Sequence, residues 1–184
     1  HLPEFYYMEK GYVERENKKS GRMEKELSDI MKNMSISDQK VRVMIKSNIR
    51  KKGLLKYPGY NLSFHGKYAL KNLKSGSESL TFSFPLPEGA GNITDIKVKL
   101  GNSDYTGDSD FSNGAQWSGM LGADETVTVE VSYNAQGTGM FEYAMGRDKS
   151  GIKNLDVEIE TDFSDSDIPN GAMVLRKTWN DPAI

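Results

Sequence analysis

Cysteine is absent from this 184-residue chain, and histidine occurs only twice, as His1 and His65. Without cysteine there are no disulfides, thiolate zinc sites or cysteine nucleophiles, although the compartment stays open. Two histidines so far apart in sequence form no local chelate, so no tight transition-metal site is expected. No run approaches the ~18 to 20 apolar residues of a membrane-spanning helix, and no charged-then-apolar signal segment begins the chain, which as given is expected to be soluble. The stretch "GADET" (122–126) holds no nucleophile elbow, and no phosphate-binding glycine loop precedes a helix. No pair of carboxylates sits in an apolar setting that would raise one pKa for glycoside hydrolysis. Enzyme chemistry has no anchor in these residues, and a non-enzymatic chain is expected.

What is present is enough for one sizeable core: 36% hydrophobic and 10% aromatic residues. A formal charge of -2 and a pI near 5.8 do not match nucleic acid, whose binders carry a strong positive excess. The charge is unevenly placed. From 40 to 56 lie Lys40, Arg42, Lys46, Arg50, Lys51, Lys52 and Lys56 with no acid, while 154 to 167 hold Asp156, Glu158, Glu160, Asp162, Asp165 and Asp167 with no base. Such strips are expected to be solvated or to face one another. The aromatic-bearing ends "HLPEFYYMEKGY" and "TWNDPAI" fit a piece of a longer protein.

In "SGRMEKELSDIMKNM" the residues Met23, Leu27, Ile30, Met31 and Met34 fall on one helical face, with charges on the other. This spacing predicts an amphipathic helix over about 20–34, capped at Ser20 and weakened at Gly21. The preceding "GYVERENKK" reads equally as a helical extension or a loose arm. Residues 1–38 are therefore assigned to an N-terminal arm and helix, and 39–184 to a β-sandwich domain.

After Asp38 the period becomes two. Leu62, Phe64, Tyr68 and Leu70 share a face, as do Leu80, Phe82, Phe84 and Leu86; Ile96, Val98 and Leu100; Val127, Val129, Val131 and Tyr133; Phe141, Tyr143 and Met145; and Leu155, Val157 and Ile159. Between these strands lie Gly, Asn, Asp and Ser clusters such as "KSGS", "PEGAGN" and "NAQGTG", which favour tight turns. The fold class expected is mostly β, an antiparallel β-sandwich preceded by one amphipathic helix.

"KVRVMIKSNI" reads as a strand, "RKKGLLKYPGY" as a turn broken by Gly53 and Pro58–Gly59, and "NLSFHGKYALKN" as the next strand. His65 has the parity opposite to Phe64 and is expected on the surface. The aromatics of this stretch share the core parity, so no stacking platform for nucleic acid is expected. Arg50, Lys51, Lys52 and Lys56 would instead be attracted to anionic lipid. Asp104, Asp108 and Asp110 are hard oxygen ligands of the kind calcium takes, although the twelve-residue loop and closing glutamate of a calcium hand are missing. Tyr105, Phe111 and Trp117 beside them form a candidate saccharide platform, although a tryptophan such as Trp117 more often belongs to the core.

The segment "RKKGLLKYPGYNLSFHGKY" (50–68) is similar to the basic, Gly-apolar, Pro-x-Tyr run and following Gly-aromatic strand of the extracytoplasmic domain of CreD-type bacterial inner-membrane proteins. "LTFSFPLPEGAGNITDIKV" with "ADETVTVEVSY" looks like extracytoplasmic β-sandwiches such as the vault/inter-α-trypsin (VIT) type. The resemblance covers about 45–160, departs from CreD in the N-terminal region and carries over no catalytic residue. It implies an extracytoplasmic interaction or sensing domain of a membrane-associated bacterial protein, tethered by segments absent from this chain, with a membrane surface or another protein as partner. A carbohydrate-binding module is the alternative. His1 on a β-sandwich of this size also resembles the copper brace of lytic polysaccharide monooxygenases, with His65 as second imidazole; the missing disulfides and the lysine-rich N-terminal region depart from that pattern. The ligand, oligomeric state and strand order are not legible in the sequence.

Overall fold

A computed structural model describes residues 4–34, 36–85, 92–104, 115–138, 141, 143 and 152–163. The chain runs through β1 (Glu4–Glu16), β2 (Met23–Asn33), β3 (Ile36–Ser47), β4 (Arg50–Lys52), β5 (Leu55–Tyr57), β6 (Tyr60–Lys71), β7 (Glu78–Phe84), β8 (Asn92–Leu100), β9 (Ser103–Asp104), β10 (Ala115–Leu121), β11 (Thr126–Gly137) and β12 (Ile152–Thr161). A four-stranded sheet has the order β10-β7-β1-β2, a six-stranded sheet the order β12-β3-β6-β11-β8-β9, and β4-β5 form a small hairpin of their own. The mostly β expectation holds.

The expected helix over 20–34 does not form; there is no helix among the described residues, and Met23–Asn33 is a strand. Met23, Leu27 and Met31 are four apart, a spacing that satisfies a helix period and a strand period alike. The choice falls to the partner: β1 pairs antiparallel with β2 from Tyr6↔Asn33 to Glu16↔Met23, with a Lys10–Asp29 ion pair at 2.8 Å and Arg15–Glu26 at 3.5 Å. The turn is built where a cap was expected. Asn17 O accepts from Gly21 N, Asn17 Oδ1 accepts from Lys19 N, and Gly21 takes the left-handed φ of 64° that costs a glycine nothing.

The sheets are not all antiparallel either. β12 runs parallel to β3, with Val157 opposite Val41 and Ile159 opposite Val43. The remaining pairs are antiparallel.

Alternation sets the two inner faces. Phe5, Leu80, Phe82 and Phe84 of the smaller sheet are buried against Leu62, Phe64, Tyr68 and Leu70 of the larger. Ring contacts cross the layers, Phe5 to Tyr68 at 6.5 Å and Phe64 to Phe84 at 6.2 Å between centroids, while Phe64 stacks on Tyr133 at 4.8 Å within the larger sheet. Because Phe5 joins this core, the N-terminal hairpin is rooted in the same packing as the strands after residue 39.

Two polar residues enter the core. A register shift between Ile36 and Asp38 changes the parity of β3, so Gln39 falls on the inward side with Val41 and Val43. There its Nε2 donates to Tyr143 Oη at 2.5 Å, and Tyr143 Oη lies 3.3 Å from Tyr68 Oη. Asn72, where the chain leaves the larger sheet, donates to the carbonyls of Gly76, Leu121 and Gly122 at 2.8, 3.1 and 3.0 Å and accepts from Lys74 N.

Candidate functional site

The basic segment that follows β3 is a hairpin of short strands, not an unpaired turn. Arg50 pairs with Tyr57, Lys51 with Lys56 and Lys52 with Leu55, and Gly53 closes the turn with a φ of 62°. Its base is closed by Asn48 N donating to Gly59 O at 2.7 Å and is held to the large sheet by Asn48 Nδ2 donating to Asn61 Oδ1 at 3.1 Å. A side chain at residue 59 would press on two backbone carbonyls, Asn48 O at 3.0 Å and Gly137 O at 3.2 Å, so glycine there permits the close approach. Arg50 ties the first strand down by donating from Nη2 to Gln136 Oε1 at 2.6 Å.

The tip is apolar as well as basic. Leu54 is fully exposed, Leu55 is 63% exposed, and Ile49 and Tyr57 stand in solvent beside them. Isolated exposed leucines are ordinary on a protein surface, but four large apolar side chains within nine residues of a two-stranded projection are not. Lys51 and Lys56 lie directly opposite each other, an unfavourable like-charge pair unless an anion is nearby. Some cations of the large sheet meet acids: Lys67 bonds Glu130 at 2.8 Å, and that contact holds the Glu130 carboxyl below its ordinary value. Lys71 reaches Asp124 at 3.2 Å. Among the described residues no ion pair engages Arg50, Lys51 or Lys56.

Beside the hairpin a shallow groove of about 300 Å³ is lined by the polar residues Asn61, Ser63, Asn92, Thr94, Asn134 and Gln136 together with Leu62 and Ala135. Ser63 Oγ donates to Asn134 Oδ1 at 2.7 Å, and Asn134 Nδ2 donates to Asp95 Oδ2 at 2.9 Å. Asp95 reaches this position because β8 is irregular where it pairs with β11 between Ser132 and Asn134, and Asp95 itself takes a φ of 55°.

The other sequence candidates are scattered. His65 is exposed on the outer face of β6, as its parity implies, whereas His1 lies outside the described residues. Trp117 is half-buried on β10, packed against the core with its ring over Gly119. Asp104 belongs to the short β9; Tyr105, Asp108, Asp110 and Phe111, the other calcium and saccharide candidates, lie outside the described residues. No group of three or more His, Asp or Glu residues suited to a metal occurs among the described residues. Of the basic set, the structure places Arg50, Lys51 and Lys56 on one hairpin and pairs the Lys52 backbone with Leu55. Sequence reasoning singled out these cations and missed their apolar companions Ile49, Leu54, Leu55 and Tyr57. The signal was present in "IRKKGLLKY", where basic and apolar residues interleave with no acid.

No family model matches the chain, and no curated protein does. Among solved structures it is similar to a Legionella pneumophila protein described as a "putative nutrient binding protein", at 13% identity and a TM-score of 0.27, over 57% of this chain and 43% of that one. A likeness so slight carries no argument about this chain.

Proposed function

We propose that this chain is a non-enzymatic interaction domain that docks on an anionic membrane surface through the β4–β5 hairpin. The observation that carries the reading is the tip itself: Leu54 and Leu55 project into solvent while Lys51 and Lys56 face each other beside them. Each basic side chain near an anionic bilayer contributes about 1 kcal/mol, and the leucines add burial at the boundary between headgroups and acyl chains. The like-charge pair is relieved by lipid phosphates. Hydrogen bonds from Asn48 and Arg50 to the large sheet keep the hairpin upright, so little ordering entropy is lost on docking. The similarity of residues 50–68 to the CreD-type segment is what supports an extracytoplasmic, bacterial, membrane-tethered setting for the domain.

Co-sedimentation with vesicles of phosphatidylglycerol and phosphatidylcholine tests this. Wild-type protein is expected to bind at low salt and release at high salt. Lys51→Ser with Lys56→Ser should weaken binding by about tenfold or more, and Leu54→Ser should weaken it further without changing the salt dependence. Absence of wild-type binding to anionic vesicles, or equal binding to pure phosphatidylcholine, overturns the reading.

A second reading is favoured by the groove, whose carboxamides suit hydroxyl-rich ligands and whose Asn134 is held by a hydrogen bond to Asp95. Binding on a glycan array that Asn134→Ala abolishes, in the absence of vesicle binding, would establish a saccharide module instead.

A further inference from the structure

Among the described residues the β1–β2 hairpin pairs with the rest of its sheet through Glu4–Tyr7 alone, which pair with β7; beyond that it continues as a two-stranded arm. Among the described residues β2 is an outer strand of the sheet, with β1 as its one paired neighbour. Its exposed edge and exposed face belong to the same residues. Phe5 O accepts from Met34 N at one end of the hairpin, and Arg22 O accepts from Asn17 N at the other. Continued through the register, these two bonds put the even-numbered residues of β2 in the hydrogen-bonded pairs with β1. The N–H and C=O groups of Met23, Lys25, Leu27, Asp29 and Met31 therefore point outward from the edge. The side chains of these same residues share one face with Met8, Lys10 and Tyr12, on which Met8, Tyr12, Met23, Leu27 and Met31 are each more than half exposed.

Edge strands are usually protected from pairing by charge, and a lysine such as Lys25 would serve that end. Here the order Met-Lys-Leu-Asp-Met along the outward positions is complementary to itself when reversed. We propose that β2 pairs antiparallel with β2 of a second copy of this chain about a two-fold axis at Leu27, joining two four-stranded sheets into one. Leu27 then lies opposite its own copy, Met23 opposite Met31, and Lys25 opposite Asp29 on both sides of the axis.

The face carries the match further. With the intrachain partners included, the rows across four strands read Tyr12, Leu27, Leu27, Tyr12 at the axis and Lys10, Asp29, Lys25, Glu14 beside it. Charges alternate in sign along the whole second row, and the Lys10–Asp29 ion pair is already formed at 2.8 Å. Neighbouring registers lose this. A two-fold at Asp29 opposes Asp29 to itself, one at Lys25 opposes two lysines, and one at Glu26 or Ser28 sets Leu27 against a charge. Register is thus specified by repulsion as well as attraction. The surface is separate from the β4–β5 hairpin, so the inference stands without the membrane reading.

Sedimentation equilibrium of the purified chain, in the absence of lipid and at low salt, is the test. Wild-type protein is expected to reach twice its 20.6 kDa mass at high concentration. Lys25→Glu alone sets two carboxylates opposite each other on both sides of the axis, and Asp29→Lys alone sets two ammonium groups there, so each variant should self-associate at least about tenfold more weakly. Mixed in equal amounts, the two variants restore opposite charges on one side of the axis by pairing the introduced glutamate with the introduced lysine, and on the other by pairing the native Asp29 with the native Lys25, so they should form a heterodimer. A structural defect in either variant is not repaired by mixing, so recovery in the mixture reports the register. A wild type that stays monomeric, single variants that dimerise as well as wild type, or a mixture that gains nothing each overturn the proposal.

Discussion

Arg42 on β3 and Glu158 on β12 form an ion pair at 2.8 Å across a parallel strand pair, although 116 positions separate them in the chain. The basic and acidic strips of the sequence meet at this seam, with Lys40 opposite Asp156 and Arg42 opposite Glu158. Both side chains are more than half exposed, so the pair contributes more to the choice of strand neighbour than to net stability. Arg42→Ala should cost less than about 1 kcal/mol in urea denaturation at low salt, and the difference should vanish in molar salt.

Asn72 is the opposite case, a polar side chain 1% exposed that joins the β6–β7 connection to the carbonyls at the end of β10. Asn72→Ala leaves the carbonyls of Leu121 and Gly122 without this donor. A loss of about 1 to 3 kcal/mol is expected in chemical denaturation, with the m-value unchanged.

Gly66 occupies a core-facing position of β6 between Phe64 and Tyr68, and the Tyr68 ring folds over it. A Cβ at residue 66 would meet Tyr68 Cε2 and Cζ at 2.8 Å, and Tyr68 is fully buried. Gly66→Ala should therefore destabilise the protein by about 1 to 3 kcal/mol through overpacking, measured as a lower denaturation midpoint.

Burial raises the pKa of Tyr68 well above its ordinary value, with the neighbouring Tyr143 adding to the effect, and burial also raises that of Tyr133. Tyr143 is pushed up to about 12, burial outweighing the opposing hydrogen bonds from Tyr68 and Gln39. In the unfolded chain these phenols ionise near pH 10, so their contribution is fully present below that pH and is lost as pH rises through the folded values. Stability should fall above about pH 10. Absorbance titration near 295 nm should show these phenols ionising together with the loss of tertiary structure; early ionisation with the fold intact would contradict their burial.

Which side of most strands faces inward is readable from residue order alone. Alternation is local, and Leu62, Phe64, Tyr68, Leu70, Val129 and Val131 are all buried as their parity demands. The charge strips and the basic segment at 50–56 were legible for the same reason, since charge is read directly from composition. What each strand pairs with was settled by the folded arrangement. The spacing of Met23, Leu27 and Met31 fits two periods, and β1 resolves it in favour of a strand by supplying cross-strand hydrogen bonds and the Lys10–Asp29 pair. Gln39 enters the core because a register shift upstream inverts the parity of β3, an event governed by its fit against β6. The parallel seam at Arg42 and Glu158 and the exposed apolar companions of Lys51 and Lys56 are likewise results of where distant or newly turned segments come to lie. Strand pairing is a long-range choice, made by backbone groups that every residue carries alike, and side-chain periodicity constrains it only to within the partners available.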